Sequence, residues 1–187
     1  MKSTNNQRTP KISRFRGAKF IALMSTMALL LFASATQAQS GHNGSSCHFI
    51  SGFIHGQLIG PNADLCPIPG STEGSLTEIG TFTDSDDNVL GTFVACATSF
   101  EQRGDGALMF GLAHTYTTTS GDTFTTTDSI VASPADPPLY GVNNHADITG
   151  GSGNLLNAFG HIRDHGTVNL ATEVVSVEYS GQICTPE

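Results

Sequence analysis

The sequence predicts an all-β domain, an eight-stranded antiparallel up-and-down barrel, and three observations carry that reading. Eight runs rich in Thr, Val, Ile and Phe recur between residues 47 and 184, Gly, Asp, Asn, Ser and Pro separate them, and apolar and polar residues alternate within them. Helical periodicity is nearly absent. Eight antiparallel strands can close on themselves and so remove both sheet edges, and a barrel of that size holds packed side chains or one small ligand. The alternative for the same pattern is a two-sheet β-sandwich.

The first strand is expected over 47–58, followed by a Pro-containing connection from Gly60-Pro61 to Pro69-Gly70. The second, 74–84, puts Leu76, Glu78 and Phe82 on one parity, and Asp84-Ser-Asp-Asp-Asn88 turns the chain into the third, 89–101. That third strand is apolar on both faces (Phe93 and Ala95; Leu90, Val94 and Cys96), as a fully buried strand or one covered by a partner subunit would be. Arg103-Gly-Asp-Gly106 leads into the fourth, 107–118, where Phe110, Leu112, His114 and Tyr116 share a side. Ser120-Gly121-Asp122 opens the fifth, 122–133, with Asp128 on the parity of Phe124 and Ile130. Gly and Asp suit these turns because they tolerate positive φ. Pro134 to Pro138 reads as a second long connection, and with 60–70 forms the candidate mouth or lid loops. The sixth to eighth strands are expected at 142–149, 158–170 and 172–184; the last groups Val175, Val177, Tyr179 and Ile183 on one side.

Charge divides the chain. Six of the eight Lys and Arg fall in the first nineteen residues, and no acid precedes Asp64. An uncharged apolar run, Phe20 to Phe32, follows the basic stretch and ends in small residues up to Ala38. Thirteen residues rise about 20 Å as a helix, too short for a hydrocarbon core of about 30 Å, so residues 1–38 read as a secretory signal peptide. Residues 39–46 read as a disordered tail and 47–187 as the domain. Beyond residue 38 sixteen acids face two bases, Arg103 and Arg163, a net charge of −14. Such a domain repels nucleic-acid backbones and anionic lipid surfaces, so neither nucleic acid nor, once the leader is removed, membrane is an expected partner. The expected location is secreted or periplasmic.

All four cysteines follow the leader, and an even count in an exported chain suggests two disulfides with three possible pairings. Closing a barrel sets the start of strand one against the end of strand eight, which favours Cys47–Cys184 and leaves Cys66–Cys96. Their spacing contains no CxxC, which argues against a zinc ribbon or redox motif.

The stretch Ile148-Thr-Gly-Gly-Ser-Gly-Asn-Leu-Leu-Asn-Ala-Phe-Gly160, with Gly166-Thr-Val168, resembles the GGTGxFxxAxG segment of the allene oxide cyclase and dirigent protein superfamily. Tyr179-Ser-Gly-Gln-Ile-Cys184 resembles the YxGxIC ending of its bacterial secreted members. The resemblance implies an eight-stranded barrel whose mouth admits a small apolar molecule, and an activity of cyclisation or of radical coupling steered by shape. Asn154-Leu155 depart from the family's usual aromatic or basic residue, and the plant enzymes' catalytic groups have no counterpart that can be matched residue by residue. Chemistry does not follow from the fold alone.

The candidate site therefore comes from parity. Glu78, Asp128 and His114 are the candidate catalytic residues, because a carboxylate in an apolar lining has its pKa raised and can act as an acid or base. Phe110, Leu112, Tyr116 and Tyr179 are the candidate ligand-binding residues. His145, Asp147, His161, Arg163 and His165 fall on the opposite parity from Ala146, Ile148, Ile162 and Val168, and read as a solvated outer face, with no metal site expected. Gly150-Gly-Ser-Gly153 lacks the Lys of a phosphate loop and the last Gly of a nucleophile elbow. Asn43-Gly-Ser45 fits the glycosylation pattern. The expected partner is a small hydrophobic molecule, with no cofactor. The alternative functions are a non-catalytic carrier, or an envelope interaction protein that forms a homo-oligomer through its exterior.

Overall fold

The computed structural model describes residues 44–187; the expected signal peptide, Asn43 and the first part of the expected tail lie outside the described residues. The strands are β1 (Ser45–Asn62), β2 (Ser75–Thr83), β3 (Val89–Gln102), β4 (Leu108–Thr118), β5 (Thr123–Asp136), β6 (Leu139–Gly151), β7 (Phe159–Asn169) and β8 (Val174–Pro186). Each pairs antiparallel with the next, and β8 pairs back onto β1 from Ser45↔Pro186 to Gln57↔Val174, closing the barrel. Closure satisfies every ladder and excludes the sandwich. β1 begins at Ser45, so the last two residues of the expected tail belong to the barrel wall.

Alternation sorts the side chains as the period of two requires. Buried residues inside the barrel include Ile54, Phe82, Phe93, Ala95, Leu112, Tyr116, Phe124, Ile162, Val177 and Tyr179. In the segment Ile148–Gly160, β6 runs to Gly151, a 3-10 turn spans Gly153–Leu155, and β7 starts at Phe159. Gly160 must be glycine: its φ is +135°, and a Cβ there would lie 2.1 Å from the Gln182 carbonyl oxygen.

Both expected disulfides form, the one that barrel closure favours and the one left by elimination. Cys47 and Cys184 are direct partners across the closing seam, and Cys66–Cys96 ties the β1–β2 connection to β3.

Two expectations need correction. β3 is buried on one face only: Phe93 and Ala95 point inward, Val94 and Cys96 are half-buried, and Leu90 is exposed. Part of its apolar outer face serves to receive the connection whose Cys66 is buried against it. Pro134 to Pro138 is no long loop either. β5 continues through Pro134, paired with Tyr140, and to Asp136, paired with Leu139, across a bulge. The bulge falls at Ala135, next to a Pro134 that has no N–H to give the ladder, and the chain reverses at the cis Pro137-Pro138 bond.

Candidate functional site

The inward parity carries five buried polar groups among its apolar residues, all near mid-height. They are Glu78 on β2, His114 on β4, Asp128 on β5, Asn144 on β6 and Asp164 on β7, joined by Thr126 on β5. His114 Nδ1 lies 3.3 Å from Asp128 Oδ2, an ion-pair distance at which the N–H is not aligned for a hydrogen bond. Thr126 Oγ1 donates to Asp128 Oδ1. Asn144 Nδ2 donates to both Asp128 Oδ2 (2.6 Å) and Asp164 Oδ2 (2.8 Å), one amide bridging two carboxylates. Asn144 Oδ1 is left buried without a partner among the described residues.

Glu78 joins this belt across a small residue. It pairs with Ala95, and Ala95 pairs with His114, so Glu78 and His114 occupy one row two strands apart with only a methyl group between. A Cβ on Gly56 would lie 1.9 Å from Glu78 Oε1; the glycine is what makes room for the carboxyl. Among the described residues no hydrogen bond reaches that carboxyl.

Burial and neighbours divide the protons. Burial pushes the Glu78 carboxyl up to about 7, with His114 pulling it down and Asp164 and Asp128 adding to the rise. Burial likewise raises Asp164 to about 6, against the hydrogen bond from Asn144. For the inner pair burial disfavours both charges, yet each partner outweighs it. His114 is held above the usual imidazole range by Asp128, Glu78 and Asp164, and Asp128 below the usual carboxylate range by His114, Thr126 and Asn144. Near neutral pH the belt thus holds an imidazolium–carboxylate pair beside a Glu78 poised to gain or lose a proton.

The belt separates two apolar chambers. On β4 the order is Leu108, Phe110 and Leu112, then His114, then Tyr116 and Thr118; β5 and β7 repeat it, with Asp128 and Asp164 in the middle. The first chamber, about 70 Å³, is walled by Leu58, Leu76, Phe110, Leu112, Ile130 and Val142 among others, and Glu78 is its one ionisable side chain. The second, about 290 Å³, lies toward the other end and is aromatic, with Phe82, Tyr116, Phe124 and Tyr179 in its wall. Tyr116 stacks between Phe124 (centroids 4.5 Å apart) and His114 (5.4 Å), and Tyr179 donates its hydroxyl proton to the Thr83 carbonyl at 2.9 Å. Burial pushes the Tyr179 phenol up to about 12 and that of Tyr116 well above its ordinary value, so both remain protonated donors.

No family model matches the chain, and no curated protein does. Among solved structures it is similar to the pterocarpan synthase dirigent protein GePTS1, with a TM-score of 0.46 and 15% identity over 75% of this chain and 86% of that one. At that likeness none of its chemistry transfers, and the site has to be read from its own residues.

The seven expected site residues all face the interior, but they do not share one pocket. Phe110 and Leu112 line the aliphatic chamber with Glu78, Tyr116 and Tyr179 line the aromatic one, and His114 and Asp128 stand in the belt between. Sequence reasoning missed Asn144 and Asp164. The signal was available: they share the parity of Ala146, Ile148, Ile162 and Val168, read as inward, and a polar residue on such a parity belongs to an interior site. His145, Asp147, His161, Arg163 and His165 lie exposed on the outer wall. His145 Nε2 is 3.4 Å from Asp147 Oδ1, and among the described residues no three side chains are grouped to hold a metal.

Proposed function

We propose that the aliphatic chamber binds a small hydrophobic molecule and that Glu78 moves a proton on it, so that the barrel steers an isomerisation or cyclisation. The observation that carries this reading is Glu78 itself, a nine-tenths-buried carboxyl near pKa 7 and the one ionisable group of an otherwise apolar chamber. A general acid or base works best with a pKa near the working pH, and an apolar wall folds the substrate while keeping water from the reacting atoms. The His114–Asp128 pair stands behind Glu78 as a fixed positive charge with its counter-ion, favouring the carboxylate that remains after proton donation. Two disulfides support action in an oxidising compartment outside the cytoplasm.

Mass spectrometry of small molecules carried through native purification identifies the ligand. With it in hand, Glu78→Gln keeps the size of the wall group and removes the proton. Turnover is expected to fall about 10²- to 10⁴-fold while ligand binding persists. Unchanged turnover in Glu78→Gln would remove Glu78 from the mechanism, and a wild-type barrel that binds without converting would leave a carrier.

A further inference from the structure

We infer that the molecule taken up by the aliphatic chamber is an apolar amine, bound as its cation with the ammonium group against Glu78. This deepens the proposed function and rests on its reading of that chamber as a ligand site. Two independent observations lead to it.

The floor of the chamber offers a carboxyl that is buried, aimed inward and reached by no hydrogen bond among the described residues. A buried acid without a partner is costly to ionise, and a cation delivered by the ligand supplies the missing half of an ion pair. The interior holds more acidic than basic groups, three carboxyls against one imidazole. Its charged neighbours are Asp128, Asp164 and a His114 already paired with Asp128, and among the described residues no Lys or Arg points inward. A carboxylate-bearing molecule would add a further negative charge to this group.

The approach has the same sign. The connections and strand ends at this end of the barrel carry Asp64, Glu73, Glu101, Asp105, Asp136 and Glu173. Their single cation, Arg103, lies 3.5 Å from Asp105 and is offset by it. An acidic rim around an apolar opening raises the local concentration of cations and depletes anions.

The test compares hexylamine, 1-hexanol and hexanoate, equal in tail and different in charge, by NMR titration of the whole mature protein at about pH 8. The amine is expected to bind about tenfold more tightly than the alcohol, and hexanoate about tenfold more weakly than the alcohol or not at all. In Glu78→Gln the amine should lose its advantage while the alcohol binds as before, which also shows that the variant is folded. If the amine binds no better than the alcohol, or keeps its advantage in Glu78→Gln, the inference is overturned and the apolar-ligand reading stands. If none of the three perturbs the chamber resonances, both fall.

Discussion

His114 with Asp128 inside the barrel, and His145 with Asp147 on its outer wall, are the same two residue types at nearly the same distance, 3.3 Å and 3.4 Å. Their surroundings differ completely. The inner side chains are 6% and 0% exposed, the outer ones 50% and 70%. Water screens the outer charges and solvates each side chain whether or not the other is there. Inside, each charge is held chiefly by the other, and the same field reaches Glu78 and Asp164. The comparison teaches that in this barrel a His–Asp contact becomes chemically useful through burial, and that strand parity decides which contacts are buried.

The largest effect should come from breaking the inner pair. Asp128→Ala removes the partner of His114, the acceptor of Thr126 and one of the two carboxylates held by Asn144. Removing one member of a buried pair leaves the other uncompensated, so a loss of about 3–5 kcal/mol is expected in denaturant unfolding at neutral pH. A loss below about 1 kcal/mol, the range of a surface pair, would mean that the belt is wetter than its burial implies.

How much of this was legible in the sequence depends on what each residue has to distinguish it. The eight strands were readable because turn chemistry and alternation agree at nearly every boundary. Glu78, His114 and Asp128 were readable because each is a polar exception on a parity that carries large apolar residues, Leu76 and Phe82, Phe110 and Leu112, and Phe124 and Ile130. Asn144 and Asp164 were passed over because β6 and β7 also carry polar residues outward, His145 and Asp147, then His161, Arg163 and His165. Against that background a polar inward residue does not stand out until parity is applied to every position. The two-chamber division could not be read at all. It follows from the stagger of a closed barrel, which brings residues from distant places in the chain to one height, and no local pattern encodes that height. The overextended Pro134–Pro138 connection shows the opposite failure, in which a strong local signal was overridden by pairing on both sides of it.

The second effect concerns pH and separates the inner groups from the outer ones. Glu78 and Asp164 bind protons more tightly folded than unfolded, about 7 against 4.5 and about 6 against 3.8. Their contribution to stability is therefore greatest at low pH and declines as pH rises through those windows. His114 is also raised, so its contribution is complete below 6.5 and is lost as pH rises through its folded value. All three act in one direction between pH 5 and 8. Asp128, Asp84 and Asp122, which are lowered, oppose them, and their contributions are lost at the acid extreme as pH falls through their folded values. Glu78 alone corresponds to about 3 kcal/mol. The melting temperature should fall steadily from about pH 5 to about pH 8, and Glu78→Gln should flatten the fall. A melting temperature that rose over this range would show that the carboxyls ionise freely, and Glu78 would lose its standing as a neutral-pH acid.

The smallest effect completes the comparison. Asp147→Ala removes the outer partner of His145 at a distance similar to that inside, and both side chains stay in water before and after. An exposed pair gains little Coulomb energy, and fixing two side chains in one geometry costs entropy of the same order. The substitution is expected to change unfolding free energy by no more than about 0.5 kcal/mol. Made in parallel with Asp128→Ala under one buffer and one denaturant, it isolates burial, because residue types and separation match. A loss approaching that of Asp128→Ala would show the outer wall to be covered in the native protein, as a subunit interface through β6 and β7 would cover it. Sedimentation of the wild type beside the variant then decides the matter: a monomer that still loses several kcal/mol would break the rule that burial, not proximity, sets the value of these pairs.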